Sequence, residues 1–169
     1  DEFRFGAGST LSGGSIAGGI GAGNDVIFAD GDGTTFLINA ANAGTVDSDD
    51  GGALAASSFN GIEGLFGGAG ADSFTLTITG TLSGAIDGAG GSDVLTGDSN
   101  GNDFVLNAAN GGALLEAGGG AAKVTGGFTN VENLTGGIGP DTFDLTNANA
   151  ALAGNITGGL NLVARLSGN

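Results

Sequence analysis

The chain has 169 residues, 39 of them glycine, with one proline, ten phenylalanines and no Cys, Met, Trp, Tyr or His. Eighteen acidic residues against three basic ones give a formal charge of −15, which excludes a phosphate-binding surface and makes nucleic acid and anionic membranes unfit partners. Without His or Cys, the Ser-His, Cys-His and thiol chemistries are excluded as well.

Glycine at roughly three times its average share would read as disorder, except that 40% of the residues are apolar and fall singly between glycines. Taken along the chain, the stretches repeat. DEFRFGAGSTLSG (1–13) is echoed by DSFTLTITGTLSG (72–84), and GAGNDVI (21–27) by GGSDVL (90–95). FLINAANAG (36–44) returns as FVLNAANGG (104–112), and FNGIEGLFGG (59–68) as FTNVENLTGG (128–137). GGAGADSFTL (67–76) returns as GGIGPDTFDL (136–145), so Asp72 and Asp141 stand 141 − 72 = 69 residues apart. The copies run 1–71, 72–140 and 141–169, the last partial, within one continuous domain spanning 1–169. Copies cut at both ends predict a piece of a longer array, or a subunit whose ends pair with its neighbours.

Within each copy, large apolar residues fall at Leu65, Phe74, Ile86, Leu95, Phe104, Leu115, Val124, Leu134, Phe143 and Leu152, mostly nine or ten residues apart. Each lies in a short alternating stretch bounded by Gly, Asn and Asp, the residues that tolerate tight turns. No stretch shows a helical period, and none approaches the ~20 apolar residues of a membrane helix. Strands this short cannot bury an apolar side alone, so they must stack. The spacing predicts an all-β, parallel β-solenoid (a β-helix or β-roll) of ~69-residue repeats. Phe74, Leu95, Phe104, Leu134 and Phe143 would form its apolar column, and the NAAN pairs at 39–42 and 107–110 its corners. A β-sandwich needs longer strands and does not repeat in this way.

The order V-E-N-L-T-G-G-x-G-x-D-T-F, then L-x-G-x-I, then G-G-x-D-x-L, resembles the long repeats of very large bacterial surface and secreted proteins. These are the β-strand-repeat adhesins, filamentous-haemagglutinin-like or related to the RTX proteins. The resemblance implies export, a place at the cell surface or in the matrix, and a structural or adhesive role.

The nonapeptide G-G-x-G-x-D-x-U-x of calcium β-rolls is met by Gly67, Gly68, Gly70, Asp72 and Phe74, and again by Gly136, Gly137, Gly139, Asp141 and Phe143. In the RTX roll that this motif resembles, glycine carbonyls and the aspartate hold Ca2+ between turns. Nine residues upstream of the two aspartates, Glu63 and Glu132 keep a carboxylate in a degenerate copy. Asp25 and Asp93 lie in partial matches, and no tandem copy follows Phe74 or Phe143. The alternative role for Gly-Gly-x-Gly is a tight corner, with Asp capping the turn by accepting backbone N–H groups.

Other acidic stretches carry less. Asp30 and Asp32 begin like a calcium loop, but the twelfth position is Ala41 rather than Glu. The stretch DSDDGG (47–52) reads as an exposed loop, and Arg4 as a surface charge. Asp49 and Asp50 could serve as an acid and base in a polysaccharide-cleaving enzyme, but the basic cleft or aromatic platforms such an enzyme needs are missing. FTLTITGTL (74–82) hints at the threonine ladder of an ice-binding face, although its counterpart FDLTNANAAL (143–152) does not keep the threonines.

The sequence therefore points away from an enzyme. It predicts an extracellular structural segment forming a stiff rod, filament or adhesin stalk. The expected partners are copies of itself, or neighbouring repeats stacked end to end. A calcium-binding roll that folds after secretion and an adhesive module with a surface ligand are the alternatives.

Overall fold

The computed structural model of the chain describes residues 1–6, 11, 13–19, 21, 23–48, 57–159 and 161–166. Asp49, Asp50 and the end of the 47–52 stretch lie outside them. The chain runs β1 (Glu2–Arg4), β2 (Ser15–Ala17) and β3 (Val26–Phe28), then a consecutive trio β4 (Thr34–Ala40), β5 (Ala43–Ser48) and β6 (Ser57–Asn60). It continues through β7 (Gly64–Phe66), β8 (Ser73–Leu76), β9 (Ile86–Asp87) and β10 (Val94–Thr96). A second trio follows, β11 (Asn102–Ala108), β12 (Gly111–Glu116) and β13 (Phe128–Thr129). Then come β14 (Asn133–Thr135), β15 (Pro140–Leu145), β16 (Ile156–Thr157) and β17 (Asn161–Leu166). The described residues include no helix.

These strands form a nine-stranded sheet, β1-β3-β7-β9-β13-β12-β11-β15-β17, and an eight-stranded sheet, β16-β14-β10-β8-β4-β5-β6-β2. Between successive described strands the chain changes sheet everywhere except within the two trios. Pairing between successive passes is parallel, as the spacing predicts: β8 lies beside β10 with Phe74 opposite Leu95, and β10 beside β14 with Leu95 opposite Leu134. The trios correct the expectation of purely parallel sheets. Each folds back on itself with β4–β5–β6 and β11–β12–β13 antiparallel, so both sheets are mixed.

The turn chemistry of NAAN accounts for the reversal. Two residues, 41–42 and 109–110, link the strands of each hairpin, and the second is an asparagine in the left-handed region, with φ of 51° at Asn42 and 50° at Asn110. Asparagine is among the few side-chain-bearing residues that adopt this conformation at low cost. Its side chain is also tied down. Asn42 Nδ2 donates to Glu63 Oε1 (3.0 Å), and Asn110 Nδ2 to Glu132 Oε1 (2.9 Å). The NAAN pairs are therefore hairpin turns rather than corners of a continuous coil.

Inward-facing side chains of both sheets meet in one core. Phe74, Leu95 and Leu134 line up in the eight-stranded sheet, while Phe104 and Phe143 lie in the nine-stranded one; all five are fully buried. The expected single column is thus two. In-register neighbours stack ring on ring, Phe36 on Phe74 (centroids 5.1 Å apart) and Phe104 on Phe143 (4.7 Å). Each buried Phe contributes about 1.5–3 kcal/mol relative to exposure. The regular beat fails within the second hairpin, where Leu114 rather than Leu115 faces inward, opposite Phe104.

Because a copy contains an odd number of sheet changes, equivalent segments of successive copies occupy opposite sheets. The hairpin β4–β5 belongs to the eight-stranded sheet and its counterpart β11–β12 to the nine-stranded one. Likewise GGAGAD leads from β7 in the nine-stranded sheet to β8 in the eight-stranded one, whereas GGIGPD leads from β14 to β15 in the reverse sense.

The hairpin assignment is checked by two substitutions followed by urea unfolding. Asn42→Gly keeps the turn conformation but loses the side-chain hydrogen bonds, an expected cost of about 1 kcal/mol. Asn42→Ala adds the left-handed penalty of about 1–2 kcal/mol. Equal losses from the two variants would show that the backbone conformation at Asn42 contributes nothing.

Candidate functional site

Carboxylates stand at the start of adjacent strands, and each accepts a backbone N–H from the strand beside it. In the eight-stranded sheet, Asp72 Oδ1 accepts the Thr34 N–H (2.8 Å), Asp93 Oδ1 that of Asp72 (2.8 Å) and Glu132 Oε2 that of Asp93 (2.9 Å). The pattern recurs in the nine-stranded sheet, where Glu63 Oε2 accepts the Asp25 N–H (2.7 Å) and Asp141 Oδ1 that of Asn102 (2.9 Å). Asp72 also closes its own turn, Oδ2 accepting the Gly68 N–H (2.8 Å). Strand-leading N–H groups next to a turn have no regular ladder partner, and these carboxylates supply one.

The motif glycines have a steric reason. A Cβ on Gly67 or Gly136 would collide with the carboxylate of Asp72 or Asp141, five residues on. A Cβ on Gly68 would meet the Asp30 carbonyl, and one on Gly137 the Asp98 carbonyl, both in neighbouring turns. A Cβ on Gly70 or Gly139 would likewise collide with the backbone at Asp32–Gly33 or Asn100–Gly101. None of the six has a positive φ. Glycine is required here because turns stack backbone against backbone.

The candidate residues are therefore dispersed along the turns. Asp72 and Glu132 share one column with Asp93, whereas Glu63 and Asp141 lead strands of the other sheet. Among the described residues, no three acidic side chains converge on one point where they could share an ion. Asp30 accepts the Asp32 N–H (3.3 Å) within its own turn.

Burial sets the electrostatics of the turn carboxylates in both sheets. Asp72, Asp93 and Asp141 are each at most 1% exposed. Asp93 Oδ2, Asp141 Oδ2 and Asp30 Oδ2 are buried with no hydrogen-bond donor. Burial raises the Asp72 carboxyl above its ordinary range, opposed by the Gly68 and Thr34 N–H groups and assisted by the charge of Asp30. Burial likewise pushes Asp93 up to about 6; the Asp72 N–H opposes the rise, and the charges of Asp72, Glu132 and Asp87 add to it.

Sequence reasoning passed over the buried ion pair of Lys123 and Asp98, 2.6 Å apart, with side chains 1% and 3% exposed. Lys123 Nζ also donates to the carbonyls of Ile78 (2.8 Å) and Thr77 (3.3 Å), which fastens the segment after β8. A lone lysine in the apolar stretch AAKVTG was the signal available. Arg4 remains at the surface, paired with Glu2 at 2.9 Å and lying 3.8 Å over the ring of Phe28.

Comparisons with protein-family models, with curated proteins and with solved structures give no match.

A pH dependence follows from Asp93. Its folded value, about 6, lies above the ordinary 3.8 of an unfolded chain, so the folded state binds this proton more tightly. The resulting stabilisation is complete below 3.8 and is lost as pH rises through 6. Urea unfolding of the parent chain and of Asp93→Asn should therefore diverge. Going from pH 7.5 to 5, the parent gains about 1 kcal/mol relative to the variant. Parallel pH profiles would show that Asp93 is not a strained carboxylate.

Proposed function

We propose that the chain is a segment of an extracellular β-solenoid, acting as a stiff spacer within a rod, filament or adhesin stalk at a bacterial surface or in its matrix. The observation that supports this most directly is the strand balance of the repeats. From β3 to β9 the chain adds three strands to the nine-stranded sheet (β3, β7, β9) and four to the other (β4, β5, β6, β8). From β10 to β16 it adds three to the eight-stranded sheet (β10, β14, β16) and four to the nine-stranded one (β11, β12, β13, β15). Two copies thus lengthen both sheets by seven strands, which lets the pattern continue indefinitely along one axis. The outermost strands of the two sheets, β1 and β17, β2 and β16, leave edges on which further repeats or another copy could pair. A role in catalysis is left without the usual nucleophile–base partners, since the chain has neither His nor Cys.

Lengthening the chain tests the rod. Residues 25–160 would be inserted again after residue 160, a block of 160 − 24 = 136 residues or two 68-residue steps. Small-angle X-ray scattering should show a particle about 34 Å longer, seven strands at ~4.8 Å each, with an unchanged cross-section. A cross-section that grows with the insertion rules out the axial arrangement.

The buried carboxylate oxygens without donors favour one second reading, a calcium-dependent roll that folds after export. Asp93 and Asp141 each keep one such oxygen, and oxygen-rich turns suit a hard cation. Thermal melts followed by circular dichroism, in EDTA and then in millimolar calcium, separate the readings. For a plain structural solenoid the midpoint is the same in both. A large calcium-dependent rise that disappears in Asp141→Asn would put the calcium roll first.

A further inference from the structure

The outward face of the eight-stranded sheet carries a line of hydroxyl groups running across the strands. Thr75, Thr96, Thr135 and Thr157 occupy β8, β10, β14 and β16 in direct register. On the other side of Thr75 the line continues through Leu37, Thr45, Ser58 and Ser15 on β4, β5, β6 and β2. Seven of these eight positions bear a hydroxyl, and neighbours are separated by the strand spacing of ~4.8 Å.

The repeat supplies an internal control, because its equivalent positions lie on the other sheet. Where the eight-stranded sheet has Thr96 beside Thr135, the nine-stranded sheet has Phe28 beside Phe66, rings stacked at 4.5 Å. Thr75 corresponds to Asp144 and Thr45 to Ala113. The hydroxyl line therefore belongs to one face and does not come from the repeat itself. The counterpart of FTLTITGTL leads from the opposite sheet and keeps one of the four threonines, Thr146 for Thr77, with Asp144 in the place of Thr75.

A cleft of about 620 Å³ opens at the Thr75–Thr96 part of this line, lined by those two residues, Gly97 and Gly137 together with Ile78 and Ile138. These isoleucines are 51% and 65% exposed, and their repeat equivalents are Asn147 and Ala69. The cleft lining has no charged residue. Of the outward-facing described strand residues on this sheet, Asp47 alone is charged, whereas Glu2, Arg4, Asp87, Asp103 and Asp144 face outward on the other.

We propose that this face binds a linear, neutral polysaccharide, laid across the strands along the hydroxyl line and seated in the cleft. A single periodic line of donors and acceptors fits a polymer of repeating hydroxyls. The adjacent line of Thr35, Ser73, Val94 and Asn133 is irregular, and the protruding isoleucines interrupt the face, which disfavours a flat lattice such as ice. The isoleucines offer apolar surface to the C–H faces of sugar rings. A net charge of −15 repels anionic glycans. The proposal goes beyond the spacer role and rests on strand register together with the cleft and the charge of this face.

The test is native-gel affinity electrophoresis of the full chain in hydroxyethylcellulose, galactomannan and dextran, with polygalacturonate as the anionic control. Thr75→Val/Thr96→Val/Thr135→Val removes three hydroxyls and keeps the β-branched shape, and Thr142→Val on the opposite sheet is the control. The expected result is retardation by at least one neutral polymer, weakened about tenfold or more in the triple variant. It should be unchanged in Thr142→Val, with equal melting midpoints for all three chains. Retardation by none of the neutral polymers, or retardation that the triple variant retains, overturns the proposal. So does ice shaping, or self-association, that the triple variant abolishes, since the line would then serve ordered water or a second copy.

Discussion

Two sheets that share one core must lengthen at the same rate. Each added strand advances a sheet by ~4.8 Å, so a repeat giving four strands to one sheet and three to the other would shear the core if the excess always fell on the same side. The chain avoids this by passing from sheet to sheet an odd number of times per copy. The β4–β5 hairpin thickens the eight-stranded sheet, and β11–β12 then compensates in the nine-stranded one. The stacked pairs Phe36–Phe74 and Phe104–Phe143, equivalent in sequence and opposite in position, record that compensation inside the core.

The turns obey a second constraint, close approach of backbone to backbone, which leaves little room for water around the strand-leading N–H groups. Carboxylates answer it, at an electrostatic cost visible in Asp93 and in three oxygens without donors. Hydrogen bonds to an ionised acceptor are stronger than neutral ones, and desolvating the charge offsets much of that gain. Lys123 relieves the problem at Asp98 by direct pairing. The acidic composition is thus divided between exposed charges that favour solubility and buried ones that organise turns.

Much of this was legible beforehand because apolar spacing and turn residues are local signals. Phe74, Leu95, Phe104, Leu134 and Phe143 are all buried as their beat implies, and the aspartates of both nonapeptides accept turn or strand N–H groups. The hairpins were hidden because an antiparallel return shows the same alternation as a parallel pass; at Leu114 and Leu115 the inward position slips by one. The exchange of sheets was hidden more deeply. Similarity between copies marks equivalent positions in a repeat and carries no sign of which face they reach. The threonine line was missed for that reason, since it joins residues from several strands and skips their counterparts.

The same exchange bears on how such a coding sequence can change. Recombination between FLINAANAG and FVLNAANGG would delete 68 residues, 104 − 36, and rejoin a compatible strand order. Everything downstream would keep its fold and move to the opposite side of the molecule. Loss of two copies would restore the original orientation. Copy number in this lineage of repeats would therefore be read as even or odd before it is read as length.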